Sequence, residues 1–179
     1  MQARGPLMTE HRLIEKMIRI IDTTLPRVQS SHEIDPEFID IAVDFIHIYA
    51  DKTHHGKEED ILFRKLSDRK MSREDRLLMD ELIQEHVFGR QTTHALAQAN
   101  SRYRKGEIAA LDQIVSRLRT LVNFYPRHIW KEDKIFFPAA RAYFTDEEEQ
   151  EMIAEFYELD RRMIHEKYKE VVQGFDYLK

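Results

Sequence analysis

The chain has 179 residues, 42% hydrophobic and 34% charged, with a net charge of −5, a balance that excludes both a disordered polyelectrolyte and a membrane-embedded bundle. It has no cysteine, which excludes disulfide scaffolds, thiolate zinc and iron–sulfur sites, and thiol catalysis together. Acids and bases are interspersed, leaving no electrostatic footprint for nucleic acid, and no run reaches the ~20 apolar residues of a transmembrane helix.

The N-terminal MQARGPLMTEH lacks the apolar stretch of a signal peptide, which predicts a cytoplasmic location. Five glycines and five prolines are too few for a turn-rich β fold, and helical apolar spacing dominates instead. Helix A is predicted to open at Thr9 and to carry Ile14, Ile18, Ile21 and Leu25 on one stripe, with Pro26 bending or ending it. Asp35-Pro36-Glu37 reads as cap, first-turn proline and acidic first turn of helix B, predicted to reach about Ser67. Helix C starts at the box-like Ser72-Arg73-Glu74-Asp75 and stops at Lys105-Gly106. Helix D is predicted from about Glu107 to Ala140, with a kink or bulge at Pro126 just before His128. Thr145-Asp146-Glu147-Glu148 is the capping box of helix E, which extends to about Gln173. Short connections make consecutive helices antiparallel neighbours. The expected fold is therefore all-α: an up-down four-helix bundle, about 9–140, with a fifth C-terminal helix, about 145–173, in a single domain spanning 1–179.

Nine histidines are the unusual count. His11 and His54 each lie roughly 18–19 residues from the first connection, about 27–29 Å at helical rise. The same comparison across the next two hairpins aligns His54 with His86 and His86 with His128. One histidine from each of four helices thus reaches a common layer. A single histidine on an apolar stripe is ordinarily a satisfied core residue. Four together in a low-dielectric core are costly without a shared partner, and a metal supplies one. His54/Glu58 and His128/Glu132 each have i, i+4 spacing, which points two groups at one spot. Four imidazoles and two carboxylates exceed a tetrahedral zinc and fit two carboxylate-bridged metals, and this thiolate-free set suits iron better than manganese or zinc. His55/Glu59 offers the same spacing, rotated by about 100°. Periodicity does not decide between the pairs: Ile41, Phe45 and Ile48 favour the His55 side, whereas Val43, Ala50 and Ile61 favour the His54 side.

Glu10-His11, HHGKEEDILF (54–63), Glu85-His86 and HIWKEDKIFFP (128–138), in this order, resemble the hemerythrin-like (HHE cation-binding) family. That resemblance implies a non-haem di-iron centre in a four-helix bundle, with His11, His54, Glu58, His86, His128 and Glu132 as ligands. In the family pattern H-x-x-x-E-E-x-x-L-F the first glutamate is the ligand, which selects Glu58 and with it His54. The oxygen-carrying hemerythrins have a further histidine one turn past the helix C histidine. Here that residue is Arg90, so the site resembles six-ligand bacterial variants rather than simple oxygen carriers. Tyr125 and Glu15 are the candidates to fill the missing position.

The expected function is a di-iron protein that binds or reacts with O₂, NO or peroxide as carrier, sensor or detoxifying oxidoreductase. Without cysteine it needs an external electron donor. The alternative is an iron or redox sensor acting through metal-dependent fold stability and partner binding. A ferritin-like oxidase is disfavoured because the chain has no Glu-x-x-His motif. His47 and His94 are read as a structural or solvent-linked pair, His32 as a loop residue, and His165 as a packing residue or hydrogen-bond partner. Phe136-Phe137 is read as core and Asp146–Glu151 as a solvated helix start.

Overall fold

A computed structural model describes residues 2–173; Met1 and residues 174–179 of the expected 1–179 domain lie outside the described residues. Helix α1 spans Arg4–Ser31, starting earlier than the predicted Thr9 and running through Pro26. The proline removes one backbone donor, but Ile21, Leu25 and Val28 bury the same face on either side of it and hold the helix together. His32 closes α1 in the left-handed region at φ 56°, its N–H bonding the carbonyl of Val28.

The second rod, α2, covers residues 36–67. Asp35 caps it, accepting the Glu37 N–H at 2.9 Å, and Pro36 opens the first turn. This rod is not uniform. It starts as α-helix over Pro36–Asp44, widens to π-helix over Phe45–His55 and again over Glu58–Phe63, and ends as α-helix over Arg64–Ser67. Helix α3 spans Arg73–Arg104, capped by Ser72 Oγ accepting the Asp75 N–H at 3.0 Å. Gly106, at φ 91°, makes the turn that follows. The fourth rod, α4, covers 110–140: Ala110–Lys131, a π turn at Glu132–Phe136, then Phe137–Ala140. It starts later than the predicted Glu107 because that residue begins a turn, with the Ala110 N–H bonded to its carbonyl at 3.0 Å. The widening near Pro126 exists but lies beyond His128, at Glu132, rather than before it. Helix α5 spans Asp146–Gln173; Thr145 and Glu148 close its capping box at 2.9 and 3.2 Å.

Helices α1 and α3 each pack between α2 and α4, closing the four-membered ring, while α5 lies against the two π segments of α2. Two apolar clusters fill the bundle. One, around Ile14, Ile18, Ala50, Leu96, Leu121 and Tyr125, fills the end reached by the first and third connections. The other, around Leu7, Leu62, Leu82, Phe136, Met152 and Phe156, includes the buried face of α5. On every rod the change from one cluster to the other falls at the histidines: Leu7/His11/Ile14, Ala50/His54/Ile61, Leu82/His86/Leu96 and Leu121/His128/Phe136. Among the described residues no helix is long and apolar enough to cross a membrane.

Candidate metal centre

Between the two clusters lie His11, His54, His55, Glu58, His86, His128 and Glu132, none more than 2% exposed. All six residues singled out from sequence meet in this layer, and His55 joins them. Their donor atoms form two groups, His11/His54/Glu58/Glu132 and His55/His86/His128, each with its atoms within 4.8 Å of one another. The two glutamates lie between the groups. Glu58 turns Oε1 toward His54 Nε2 (3.5 Å) and Oε2 toward His86 Nε2 (3.4 Å). Glu132 turns Oε2 toward His11 Nε2 (3.2 Å) and Oε1 toward His128 Nε2 (3.3 Å) and His86 Nε2 (3.5 Å).

The outward edge of each imidazole is also occupied. Nδ1 of His11 donates to Asp133 (2.7 Å), of His54 to Glu10 (2.9 Å), of His55 to Asp51 (3.4 Å), of His86 to Glu59 (2.7 Å) and of His128 to Glu85 (2.9 Å). In the neutral ring these bonds fix the tautomer, with the proton on Nδ1 and the Nε2 lone pair aimed into the layer. Behind the carboxylates stand cations. Arg12 pairs with Asp133, Lys57 with Glu10, and Lys131 with Glu85, while Arg90 pairs with both Asp51 and Glu59.

A metal fits these residues on two observations. The Nε2 atoms of His11 and His54 stand 2.8 Å apart although both rings already spend Nδ1 on a carboxylate, so a shared proton or a metal ion must lie between them. Six atoms of the layer have no hydrogen-bond partner: both oxygens of Glu58, both of Glu132, and Nε2 of His86 and His128. Buried polar atoms are otherwise almost always satisfied. Neutral imidazoles with two carboxylates form a donor set for a divalent or trivalent cation of intermediate hardness.

The electrostatics agree. Burial pushes His54 well below the ordinary histidine value, reinforced by His11; burial and the neighbouring His86 bring His55 down to about 3. Burial also acts to lower His11, but its bonds to Asp133 and Glu132 outweigh it and lift the ring to about 9. His86 rises for the same reason, through Glu132 and Glu59. Burial and the facing Glu132 push Glu58 well above the carboxylate range; Glu132, despite its burial, is held low by His128, His11 and His86. The metal-free layer therefore retains protons that a bound cation displaces.

The backbone explains the joint use of His54 and His55. On a regular helix adjacent residues diverge by about 100°. Here both lie at the end of the π segment Phe45–His55, whose wider turn swings the following residue back toward the layer. Thr53 marks the pitch, its Oγ1 donating to the Ile48 carbonyl five residues back at 2.8 Å. The second and third π segments begin at Glu58 and Glu132 themselves.

Several expectations change. Of His55, Tyr125 and Glu15, it is His55 whose donor atom groups with those of His86 and His128. Tyr125 is buried beside the layer without joining either group, and Glu15 pairs with Arg12 on the surface of α1. Glu59 turns outward to His86 Nδ1. His165 is exposed on α5 rather than packed. Glu149, within the run read as solvated, is buried and pairs with Arg141. His47 and His94 are exposed at the mouth of a cavity of about 400 Å³ that His55, Arg90, Gly89 and Tyr125 also line. The five outer carboxylates were not foreseen as a set, although four of them adjoin a residue of the layer in sequence: Glu10-His11, Glu58-Glu59, Glu85-His86 and Glu132-Asp133. One residue step carries each from the centre of the layer to a helix–helix seam, where it serves a histidine of a neighbouring rod.

No curated protein and no solved structure shows significant similarity to the chain. The family model described as "Hemerythrin HHE cation binding domain" matches residues 5–140, which contain all four rods and every residue of the layer. The chain belongs to the hemerythrin HHE cation-binding domain family.

Proposed function

We propose that the layer holds two iron ions and that the protein binds or reacts with a small oxidant or diatomic ligand, O₂, NO or peroxide. The observation that carries this reading is the pair of glutamates, each with one oxygen toward either histidine group and none of the four oxygens otherwise hydrogen-bonded. His11 and His54 would hold one ion and His55, His86 and His128 the other, with Glu58 and Glu132 shared between them. Such a set would offer four donors on one side and five on the other, fewer than the six iron accepts, and would leave room for a ligand. Iron bound there would supply the electrons and the open positions for O₂, NO or peroxide.

The chain's own residues do the rest. The two apolar clusters keep bulk water from the layer, and the outer carboxylates hold each imidazole in its ligating tautomer. The cavity reaching His55, walled by Val43, Ile46 and Tyr125, gives an uncharged small molecule a path to the five-donor side. With no cysteine in the chain, the electron donor for turnover is an external reductant.

The test is elemental analysis of protein purified without chelator, read with its visible spectrum. About two irons per chain, with charge-transfer bands that change on adding azide, is the expected result. Protein that carries no metal and takes up no ferrous iron anaerobically overturns the reading. A second reading, an iron sensor that signals through its own stability, is favoured by one feature: the seven donors come from all four rods, so loss of metal releases every helix of the bundle at once. Slow or absent turnover with a large loss of thermal stability on chelation selects it.

A further inference from the structure

Among the four cations behind the outer carboxylates, Lys57 differs from the others. The side chains of Arg12, Arg90 and Lys131 are 52%, 37% and 19% exposed, so water can share their charge. That of Lys57 is 1% exposed. Its ammonium meets two carboxylates, Glu10 of α1 and, at 2.6 Å, Asp160 of α5. A lysine this deeply buried holds its place only while its charge is compensated. Glu10 in turn accepts from His54 Nδ1. A continuous chain of polar contacts therefore runs from His54 through Glu10 and Lys57 to Asp160, and Lys57 is the one of the four cations tied to a helix beyond the matched segment 5–140.

The local packing is built around this contact. Leu159, the last residue of α5 that is buried, packs over Gly56 next to Lys57, where a Cβ would make ordinary contact at 3.9 Å with both its methyl carbons. Asp160 thus directly follows the last buried residue of the helix. Glu155 makes another tie of α5 to α2, to Lys65 at 2.8 Å and Arg64 at 3.3 Å, and neither partner is paired with a residue of the layer; Lys167 with Asp44 and Lys52 with Glu170 continue the contact further along α5.

We propose that Lys57 and Asp160 are positioning residues for His54, so that α5 is a working part of the metal site rather than an appendage. The inference rests on the reading of His54 as a ligand. When Asp160 is lost, Glu10 is the single anion left to compensate the buried Lys57, and its carboxylate is drawn toward the ammonium and away from His54. His54 then loses the fixed Nδ1 bond that aims its Nε2.

The experiment compares Asp160→Asn with Glu155→Gln, alone and each combined with Glu10→Gln. Two readouts are taken: the rate at which a chelator strips iron from the loaded protein, and the His54 Nδ1 proton resonance in the metal-free protein. The proposal expects D160N to speed metal loss about 10–100-fold, the range for losing a group that orients a metal-bound histidine, and E155Q to leave it near wild type. It expects E10Q/D160N to lose metal no faster than E10Q, since both act through one hydrogen bond. In the metal-free protein the His54 proton signal broadens in D160N and stays sharp in E155Q. Equal effects of D160N and E155Q, or additivity with E10Q, overturn it, for they show that Asp160 only docks the helix. A wild-type protein that binds no iron overturns the di-iron reading instead; the NMR comparison still reports on the link from Asp160 to His54.

Discussion

Stripping the metal is the perturbation whose size follows most directly from the structure. Without a cation, six buried atoms of Glu58, Glu132, His86 and His128 have no partner. Each unsatisfied buried polar atom costs about 1–3 kcal/mol, so the unrelieved penalty is about 6–18 kcal/mol. Retained protons, such as the one burial keeps on Glu58, offset part of it. Taking the lower end, about 6 kcal/mol, and about 2–4 °C per kcal/mol for a chain of this size, the melting temperature falls by about 12–24 °C. Differential scanning calorimetry on loaded and chelator-stripped protein, with metal content measured on the same samples, makes the test. A stripped sample that melts within about 4 °C of the loaded one would show that water or protons satisfy the layer as well as a metal does, and would refute the reasoning.

Three further expectations follow from individual contacts. His55 is held near 3 in the fold and titrates near 6.5 in the unfolded chain, so between those values the unfolded state binds one more proton at this site and stability falls as the pH drops. In metal-free His55→Asn that contribution disappears, and the slope of unfolding free energy against pH in this window drops by about 1.4 kcal/mol per pH unit, measured by urea titration; parallel curves would contradict the assignment. Asp133→Asn leaves His11 Nδ1 without its anionic acceptor, and competition with a chelator should show iron affinity lower by about 10–100-fold, whereas unchanged affinity would mean the bond orients nothing of consequence. Ala97→Phe fills the cavity that reaches His55; stopped-flow azide binding should slow while the final spectrum is preserved, and an unaltered rate would place the entry route elsewhere.

The helices and the common height of four histidines were legible in the sequence because caps and the 1.5 Å rise are local rules that tertiary contacts do not overturn here. Asp35, Ser72 and Thr145 cap the helices their spacing announces, and the misplaced start of α1 is a difference of five residues. His55 was not legible as a partner of His54. Its side is resolved by backbone pitch, and a π turn leaves no single-residue signature. The conflicting periodicities along helix B were the trace it did leave: Ile41 is 63% exposed, whereas Ala42, Ile46 and Ala50 are buried, and no regular 3.6-residue repeat accommodates all the apolar positions. The link from Lys57 to Asp160 was beyond reach because it joins positions 103 apart through a helix whose docking angle spacing does not specify.

The π segments also set how this gene can and cannot vary. A π turn is an α-helix carrying one residue more than its pitch accommodates, held open by what the extra residue achieves. Deleting any single residue between 45 and 53 would let α2 relax to the narrower pitch, a change that favours the backbone. The residues on either side would keep their register, but the wide turn that brings both His54 and His55 into the layer would be lost. Substitutions along this stretch can be absorbed one side chain at a time, but a lost codon cannot. Lineages of this chain should therefore vary in composition at the exposed positions of residues 45–53 while keeping their length fixed to the residue.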